Sequence, residues 1–370
     1  MAKPQPSSKP SLTEQGAINA IRDFFRDTPF VVFGTGMSCA LDPRFGMPAL
    51  QDELSCSVVP ESCSPEQEQQ WMNVMESLQN GSDLETALNN VSDMTLLEKI
   101  TSATARYVST IDRVYALQIT GGEVQWPATA FFKRLVDTLP EGALHVLTPN
   151  YDTLFEHACD AEGIHYTSGF FGGLMRKIDW QAVQQSIFLP QQVRQGNRLK
   201  TIGKPRKHVR LYKVHGSLNL FHHLDEVVEN NAWMWNPPAF ASRVIITPGL
   251  SKYETLQNYR QELLNSADKA IEKANRFLFL GYGFNDAHLE RYIKRKLTSQ
   301  ACKGLIVTRD SNSRIEELLA QAENLWLVCK QQGDGSDGTR IFNKQHAGWL
   351  ELPTKAYWDI VTFTREILRG

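Results

Sequence analysis

The sequence of 370 residues carries 39 Lys and Arg against 41 Asp and Glu, so its formal net charge is −2. A balance this close to zero argues against a protein that binds nucleic acid or an anionic membrane through its overall charge. With 24 Gly and 17 Pro, the composition excludes collagen-like and low-complexity chains, and the length suits two domains or one large one.

The six cysteines are at positions 39, 56, 63, 159, 302 and 329, and none of them forms a C-x-x-C pair. Because structural zinc sites usually take ligand pairs about two to four residues apart, we expect no bound zinc. Six cysteines are also few for a disulfide scaffold of this length, so they are expected to be reduced. The polar first residues are unlike a secretory signal, and no apolar run is long enough to span a membrane. These features predict a soluble, cytoplasmic protein.

Short apolar runs alternate with helical periodicity along the chain. Each run is bounded by Gly, Pro, Asn or Asp, and most are apolar on both faces, which is typical of parallel strands covered by helices. The runs are 30–33, 144–147, 211–214, 244–246, 277–280, 305–307 and 325–328, and helices are expected at 151–161, 253–274, 286–300 and 311–323. This alternation predicts an α/β fold with a doubly wound, mostly parallel sheet.

Some segments depart from the alternation. Residues 1–11 are expected to form a disordered arm. Residues 51–140 show helical periods without a strand pattern, so we predict a helical insertion there, and the α/β domain is expected to comprise 12–50 and 141–370. Residues 162–210 are left without an assignment.

Glycine-rich or polar segments follow four of the predicted strands. The first strand runs into Gly34-Thr35-Gly36-Met37-Ser38, a turn whose N–H groups can approach a diphosphate. The other three segments are Thr148-Pro149-Asn150-Tyr151-Asp152, His215-Gly216-Ser217 and Gly281-Tyr282-Gly283-Phe284-Asn285. Because ligands of open α/β sheets bind beyond the carboxyl ends of the strands, these four ends together predict a binding site. Taken singly, each has a plainer interpretation as a tight turn, a helix cap or a core histidine.

Taken together, these segments resemble the sirtuin-like NAD-binding family. G-T-G-M-S is similar to the family's Gly-Ala-Gly-x-Ser loop, and Gly46-Met47-Pro48 is similar to the Gly-Ile-Pro that follows it. T-P-N-Y-D stands where the family has Thr-Gln-Asn-Ile-Asp, and V-H-G-S-L keeps the catalytic His-Gly-Ser. F-L-G-Y-G-F-N-D-A-H resembles the late glycine turn of the bacterial sirtuin-like NAD hydrolases. The resemblance implies a Rossmann-like sheet that binds NAD.

One departure from the family pattern concerns zinc. Sirtuins that deacylate proteins carry four zinc-binding cysteines after the Asn-Ile-Asp motif, whereas residues 153–214 hold only Cys159. The resemblance therefore implies a zinc-less NAD hydrolase that gives nicotinamide and ADP-ribose, as a toxic effector of bacterial antiphage defence. Two alternatives stay open, an NAD-dependent protein-lysine deacylase and a non-catalytic module that senses NAD or ADP-ribose.

On this interpretation NAD is the substrate, and the site residues have expected roles. Asn150 holds a water or a ribose hydroxyl, His215 accepts a proton, and Asp152 lies near the nicotinamide. Gly34, Thr35, Gly36 and Ser38 are expected to cradle the diphosphate, and Gly281, Gly283 and Asn285 the adenosine half. The remaining predicted NAD-binding residues are Pro48, Gly216 and Ser217.

Partners are expected because a freely active NAD hydrolase would harm its own cell. We expect control by homo-oligomerisation or by a separate sensor, for which the resemblance suggests a translocase-type ATPase. The amphipathic ends, 13–27 and 353–369, are the expected contact surfaces, with packing on their own core as the alternative. The basic stretch 200–213 is interpreted as a solvated segment, with a nucleic-acid or partner patch as the alternative.

Overall fold

The computed structural model describes residues 9–58, 63–82, 84–196, 198–245, 257–299, 302–333 and 337–368. The chain divides into two compact units. Unit 1 comprises 1–37, 130–135 and 269–370, and unit 2 comprises 38–129 and 136–268. The prediction that residues 51–140 form an inserted domain stays a prediction. Among the described residues, none of the helices combines the length and apolar character needed to cross a membrane.

Helices occur along the whole described part of the chain, from its first residues to its last. In chain order they are α1 (Glu14–Phe24), α2 (Gly36–Cys39), α3 (Met47–Ser57), α4 (Pro65–Gln79), α5 (Leu84–Leu88), α6 (Met94–Thr120), α7 (Thr129–Asp137), α8 (Leu154–Ala161), α9 (Trp180–Ser186), α10 (Gln257–Lys273), α11 (Ala287–Thr298), α12 (Ser313–Gln321) and α13 (Ile360–Glu366).

The strands, by contrast, are concentrated after residue 142, with a single one before it among the described residues. In chain order they are β1 (Phe30–Phe33), β2 (Ala143–Thr148), β3 (Tyr166–Thr167), β4 (Phe170–Gly172), β5 (Arg176–Ile178), β6 (Phe188–Gln195), β7 (Arg198–Pro205), β8 (His208–Lys213), β9 (Gly216–His223), β10 (Glu226–Glu229), β11 (Ser242–Ile245), β12 (Arg276–Leu280), β13 (Lys303–Thr308), β14 (Leu325–Lys330), β15 (Thr339–Asn343) and β16 (Leu350–Leu352).

Unit 1 contains six neighbouring strands in the order β16-β15-β14-β13-β12-β1. The four from β14 to β1 are parallel, and β15 and β16 are antiparallel. Most of the side chains of β1, β12 and β13 are buried, as expected for parallel strands covered on both faces. The mostly parallel α/β architecture predicted from the sequence is confirmed.

The two terminal helices of the chain pack within unit 1. On α1, Ile21 and Phe24 are buried, and on α13 Phe363 is fully buried and meets the rings of Phe25 and Phe131. The apolar faces of these helices are therefore covered by their own core. The prediction that these apolar faces contact partners is wrong. The alternative, that they pack on the core of their own chain, is confirmed. Within the predicted arm, residues 1–8 lie outside the described residues, and Pro10 O accepts a hydrogen bond from Ala347 N.

Unit 2 holds the parallel strands β2, β8 and β3. It also holds a five-stranded antiparallel sheet in the order β11-β9-β10-β5-β4 and the two-stranded hairpin β6–β7. Of the apolar run 244–246, predicted as a parallel strand, residues 244 and 245 instead lie in β11, which pairs antiparallel with β9, and residue 246 lies outside the described residues. This part of the prediction is wrong because a short apolar run has no signal for strand direction.

The segment between the first two predicted strands is helical, as expected. Its core forms where α3, α4, α5 and α6 meet, around buried side chains such as Leu54, Trp71 and Ile100. The long helix α6 packs against α8, which follows β2 after the loop of residues 149–153. Helix α6 thereby brings its C-terminal half to the loop that contains Asn150 and Asp152.

Candidate functional site

In unit 1, the two predicted glycine turns pack against each other, backbone to backbone. Gly34 N donates to Leu280 O at 3.0 Å, and Gly36 N donates to Gly281 O at 3.1 Å. A Cβ on Gly36 would lie 2.7 Å from Gly281 Cα, and Gly281 has a φ of +51°. Only glycine allows this approach without a shift of the backbone. The packing of the two turns requires glycine at 36 and 281 whether or not a diphosphate binds. Thr35, which lies between Gly34 and Gly36, is half-buried.

The turn after β12 is fixed by further contacts within unit 1. Gly283 O accepts a hydrogen bond of 2.8 Å from Asn312 Nδ2, and Asn285 Oδ1 accepts one from Arg314. Beside it, Tyr282 Oη donates to Glu290 Oε1 at 2.9 Å. Burial raises the pKa of Glu290, although Lys294 opposes this effect.

In unit 2, three of the predicted site residues form one buried cluster. Ser38 Oγ donates to Asp152 Oδ2 at 2.8 Å and accepts from Asn150 Nδ2 at 3.2 Å. All three residues are at most 6% exposed. With its amide nitrogen on Ser38, Asn150 has its Oδ1 buried and without a hydrogen-bond partner among the described residues. A buried acceptor of this kind calls for an explanation, and a substrate hydroxyl or a water is one.

The carboxyl group of Asp152 lies in a mixed electrostatic environment. Burial raises its pKa, while the charge of Lys213 and the hydrogen bond from Ser38 oppose this rise. Lys213 donates to the backbone oxygen of Asp152 and, at 2.7 Å, to Glu156 Oε1 on α8. The buried pair of Lys213 and Glu156 therefore holds the main chain at Asp152 in place.

A further buried carboxylate, Asp112 on α6, was not predicted from the sequence. It accepts hydrogen bonds from Thr153 N at 2.6 Å and from Trp235 Nε1 at 3.1 Å. Burial, followed by the charge of Asp152, raises the pKa of Asp112 to about 6. Asp112 belongs to no recognisable motif in the sequence, so its role in fixing the loop after Asp152 could be found only from the structure.

His215 lies in the connection between β8 and β9 and is half-buried. The strand that follows begins at Gly216, whose φ is +87° and whose added Cβ would lie 2.0 Å from Val244 O. Ser217 is fully buried, with its Oγ 3.4 Å from Tyr151 O, and Leu218 N donates to Tyr151 O at 3.0 Å. The start of β9 is thus hydrogen-bonded to the loop that carries Asn150 and Asp152.

Pro48 is exposed in the first turn of α3, whose N-cap is Gly46. Helix α8, expected to begin at 151, begins at Leu154, and Asp152 is not its N-cap residue. Asp152 Oδ1 nevertheless accepts a hydrogen bond of 3.4 Å from Leu154 N in the first turn of α8, while Asp152 Oδ2 accepts one from Ser38. Among the described residues, no three His, Cys, Asp or Glu side chains come together as a metal site.

Comparison with known proteins identifies part of the chain. Residues 144–327 match the family model of the SIR2-like domain, which is slightly under half of the chain. This part of the chain is thus similar to the SIR2-like domain. Asn150, Asp152, His215 and Gly281 fall inside the matched range, and Ser38 falls outside it.

Solved structures of Sir2 proteins also match, at low identity. A Sir2 enzyme studied for its mechanism and regulation is 13% identical, with 83% of this chain and 90% of that chain covered and a TM-score of 0.38. A Sir2 homologue in complex with NAD is 13% identical, with 86% and 90% covered and a TM-score of 0.38. A Sir2 complex with a p53 peptide and NAD+ is 11% identical, with 95% and 97% covered and a TM-score of 0.34. No curated protein matches the sequence.

Proposed function

We propose that the chain is an NAD glycohydrolase, which cleaves the nicotinamide–ribose bond of NAD and gives nicotinamide and ADP-ribose. The observation that carries the proposal is the buried cluster of Ser38, Asn150 and Asp152, in which Asn150 Oδ1 has no partner among the described residues. Two of these residues lie within the SIR2-like domain. The cluster offers one neutral acceptor and one carboxylate, which suit a reaction at a sugar carbon.

The chemistry of the bond explains why these groups are suited to it. When the bond between ribose C1′ and the nicotinamide nitrogen breaks, its electron pair leaves with nicotinamide, and positive charge develops on the ribose. The neutral amide of Asn150 can accept a hydrogen bond from a ribose hydroxyl or a water without adding charge. Asp152, if ionised in the complex, stabilises the developing cation, because charge interactions are strong where water is excluded.

The attacking water needs a proton acceptor, and we assign this role to His215. The water oxygen forms the new bond to C1′, and the proton that it loses passes to a ring nitrogen of the imidazole. The Gly34–Ser38 turn would take the diphosphate, and Gly281, Gly283 and Asn285 the adenosine half. In this turn, Gly283 and Asn285 accept hydrogen bonds from Asn312 and Arg314.

The biological role that we propose is depletion of NAD as part of bacterial antiphage defence. The support is the resemblance of the glycine turn after β12 to that of the bacterial sirtuin-like NAD hydrolases. On this proposal the enzyme acts without zinc in the cytoplasm, and its activity is controlled by self-association or by a separate sensor or ATPase.

The test is to incubate the purified chain with NAD and to measure free nicotinamide over time, with and without an acyl-lysine peptide. We expect nicotinamide and ADP-ribose in equal amounts without the peptide. Release that requires the peptide would favour the deacylase, and tight binding of NAD without release would favour the sensing module. Either result would contradict the proposal.

A further inference from the structure

The hairpin of β6 and β7 in unit 2 is exposed along nearly all of its length, and its Lys204 forms an ion pair of 3.8 Å with Glu141. All of its strand residues are exposed except Val193 and Pro205, which are half-buried. Several large apolar side chains are among the exposed ones, including Leu189 at 44% and Ile202 at 40% exposed. Because a two-stranded hairpin alone is marginally stable in water, such a hairpin is typical of a segment that packs against a partner.

The register of the hairpin separates its two faces. Directly opposed residues share a face, and the pairs include Leu189 with Lys204, Val193 with Lys200 and Gln195 with Arg198. One of these two faces, which we call the basic face, therefore carries three cations beside apolar side chains. Its members are Leu189, Gln191, Val193, Gln195, Arg198, Lys200, Ile202 and Lys204. The hairpin has four cations and no Asp or Glu.

A surface of opposite charge exists on the same chain. Residues 51–98 contain ten Asp and Glu and no Lys, Arg or His. Within this segment, Trp71, Val74 and Leu78 of α4 face the core. The opposite side of α4, the acidic face, is exposed and carries Glu66, Gln69, Met72, Asn73 and Glu76. Met72, 57% exposed, gives this face an apolar centre between two carboxylates.

We propose that the basic face of the hairpin of one copy packs on the acidic face of α4 of a second copy. The lengths match, because the eight residues of β7 span about 26 Å and the 15 residues of α4 span about 22 Å. Apolar side chains lie among the charges on both faces. Because the hairpin carries +4 and the whole chain −2, the rest of the chain carries −6 and attracts the hairpin.

The hairpin uses its face rather than its edges. Pro190 in β6 and Pro205 in β7 lack an N–H group, and β7 contains Lys200 and Lys204. These features discourage pairing of exposed strand edges. A basic ribbon could also enter a groove of duplex nucleic acid. The acidic face favours the second copy, because it supplies both the charges and the apolar contact on this same chain.

The test is sedimentation of the full chain with paired charge reversals. Arg198→Glu/Lys200→Glu reverses the basic face, and Gln69→Lys/Glu76→Lys reverses the acidic face. We expect each variant alone to associate at least about tenfold more weakly than the wild type. An equal mixture of the two variants should associate as the wild type does, because each reversed face then meets its opposite. The readout does not depend on enzymatic activity.

The controls separate a lost contact from a general effect of charge. Arg106→Glu/Arg113→Glu makes the same charge change as the hairpin variant, at exposed positions of α6. It should associate as the wild type does. Association of the wild type should weaken when the salt rises to about 1 M, where the Debye length is about 3 Å. A monomeric wild type at low salt, a mixture no better than either variant, or a hairpin that binds a DNA duplex without self-association would each overturn the proposal.

Discussion

Ser38 Oγ donates a hydrogen bond of 2.8 Å to Asp152 Oδ2, and the two side chains are buried 114 positions apart in the sequence. The same oxygen accepts from Asn150 Nδ2, so both hydrogen-bonding functions of the hydroxyl are used. One serine therefore fixes the positions of the two groups to which we assign the reaction at the ribose.

Replacement of Ser38 by alanine should cost stability as well as activity. Ser38→Ala removes a hydrogen bond to a buried carboxyl group and leaves Asn150 Nδ2 without its acceptor, so we expect a loss of about 1–3 kcal/mol in the free energy of unfolding. Urea denaturation measures it. The matched control is Ser55→Ala on an exposed turn of α3, which should change the free energy by less than about 0.5 kcal/mol. Equal effects of the two substitutions would contradict the role of Ser38 in the cluster.

The close approach of the two glycine turns predicts a large cost for a side chain at Gly281. Gly281→Ala combines a left-handed φ with a Cβ placed 2.8 Å from Gly36 Cα, so we expect about 2–5 kcal/mol of destabilisation. Gly163→Ala has a φ of +66° but open space around the new Cβ, so it should cost only about 1–2 kcal/mol. Thermal denaturation of both variants checks the difference, and equal costs would show that the packing of the turns is loose.

The buried pair of Lys213 and Glu156 predicts a strong non-additivity. Both side chains are less than 10% exposed and 2.7 Å apart. Lys213→Met leaves Glu156 without its cation and should destabilise by about 3–5 kcal/mol, whereas Lys213→Met/Glu156→Gln should recover much of this loss. A double-mutant cycle from urea denaturation gives the coupling. Additive effects would mean that the two side chains are not coupled and would contradict the buried pair.

The raised pKa of Asp112 predicts a pH dependence of stability with a defined sign. Its pKa is about 6 in the folded protein against 3.8 for an unperturbed Asp, so between about pH 4 and pH 6 the folded state binds more protons than the unfolded state. The contribution of this group to stability therefore falls as the pH rises, by about 3 kcal/mol across the window. Asp112→Asn should flatten this part of the profile, measured by urea denaturation from pH 4 to pH 7. An unchanged slope would argue against a raised pKa.

Much of the parallel core could be predicted from the sequence, because its strands are continuous apolar runs whose ends carry glycine or polar residues. The buried β12 is an example, since it matches the predicted run 277–280. The β6–β7 hairpin could not be predicted, because exposed strands on a mixed polar surface show no alternation of apolar residues. Strand direction could not be predicted for β11 either, because its short apolar pair Val244 and Ile245 carries no signal for the antiparallel pairing with β9.

The candidate site shows the same division. Asn150 and Asp152 were predicted because they follow a buried strand, and Ser38 because it follows a glycine turn. Their mutual hydrogen bonds depend on a contact over more than 100 residues, which no local pattern encodes. Asp112 was missed because it lies inside a long helix, where an isolated Asp normally indicates a solvated face.

The decisive measurement for the proposed reaction is the rate of nicotinamide release from NAD by Asn150→Ala, with Asn90→Ala as the matched control. Asn90 is exposed after α5 and far from the cluster in the sequence. We expect Asn150→Ala to lower the rate by about 10²–10³-fold at an unchanged circular dichroism spectrum, and Asn90→Ala to keep the rate of the wild type. A folded Asn150→Ala variant that releases nicotinamide as fast as the wild type would contradict the role of the buried cluster in NAD cleavage.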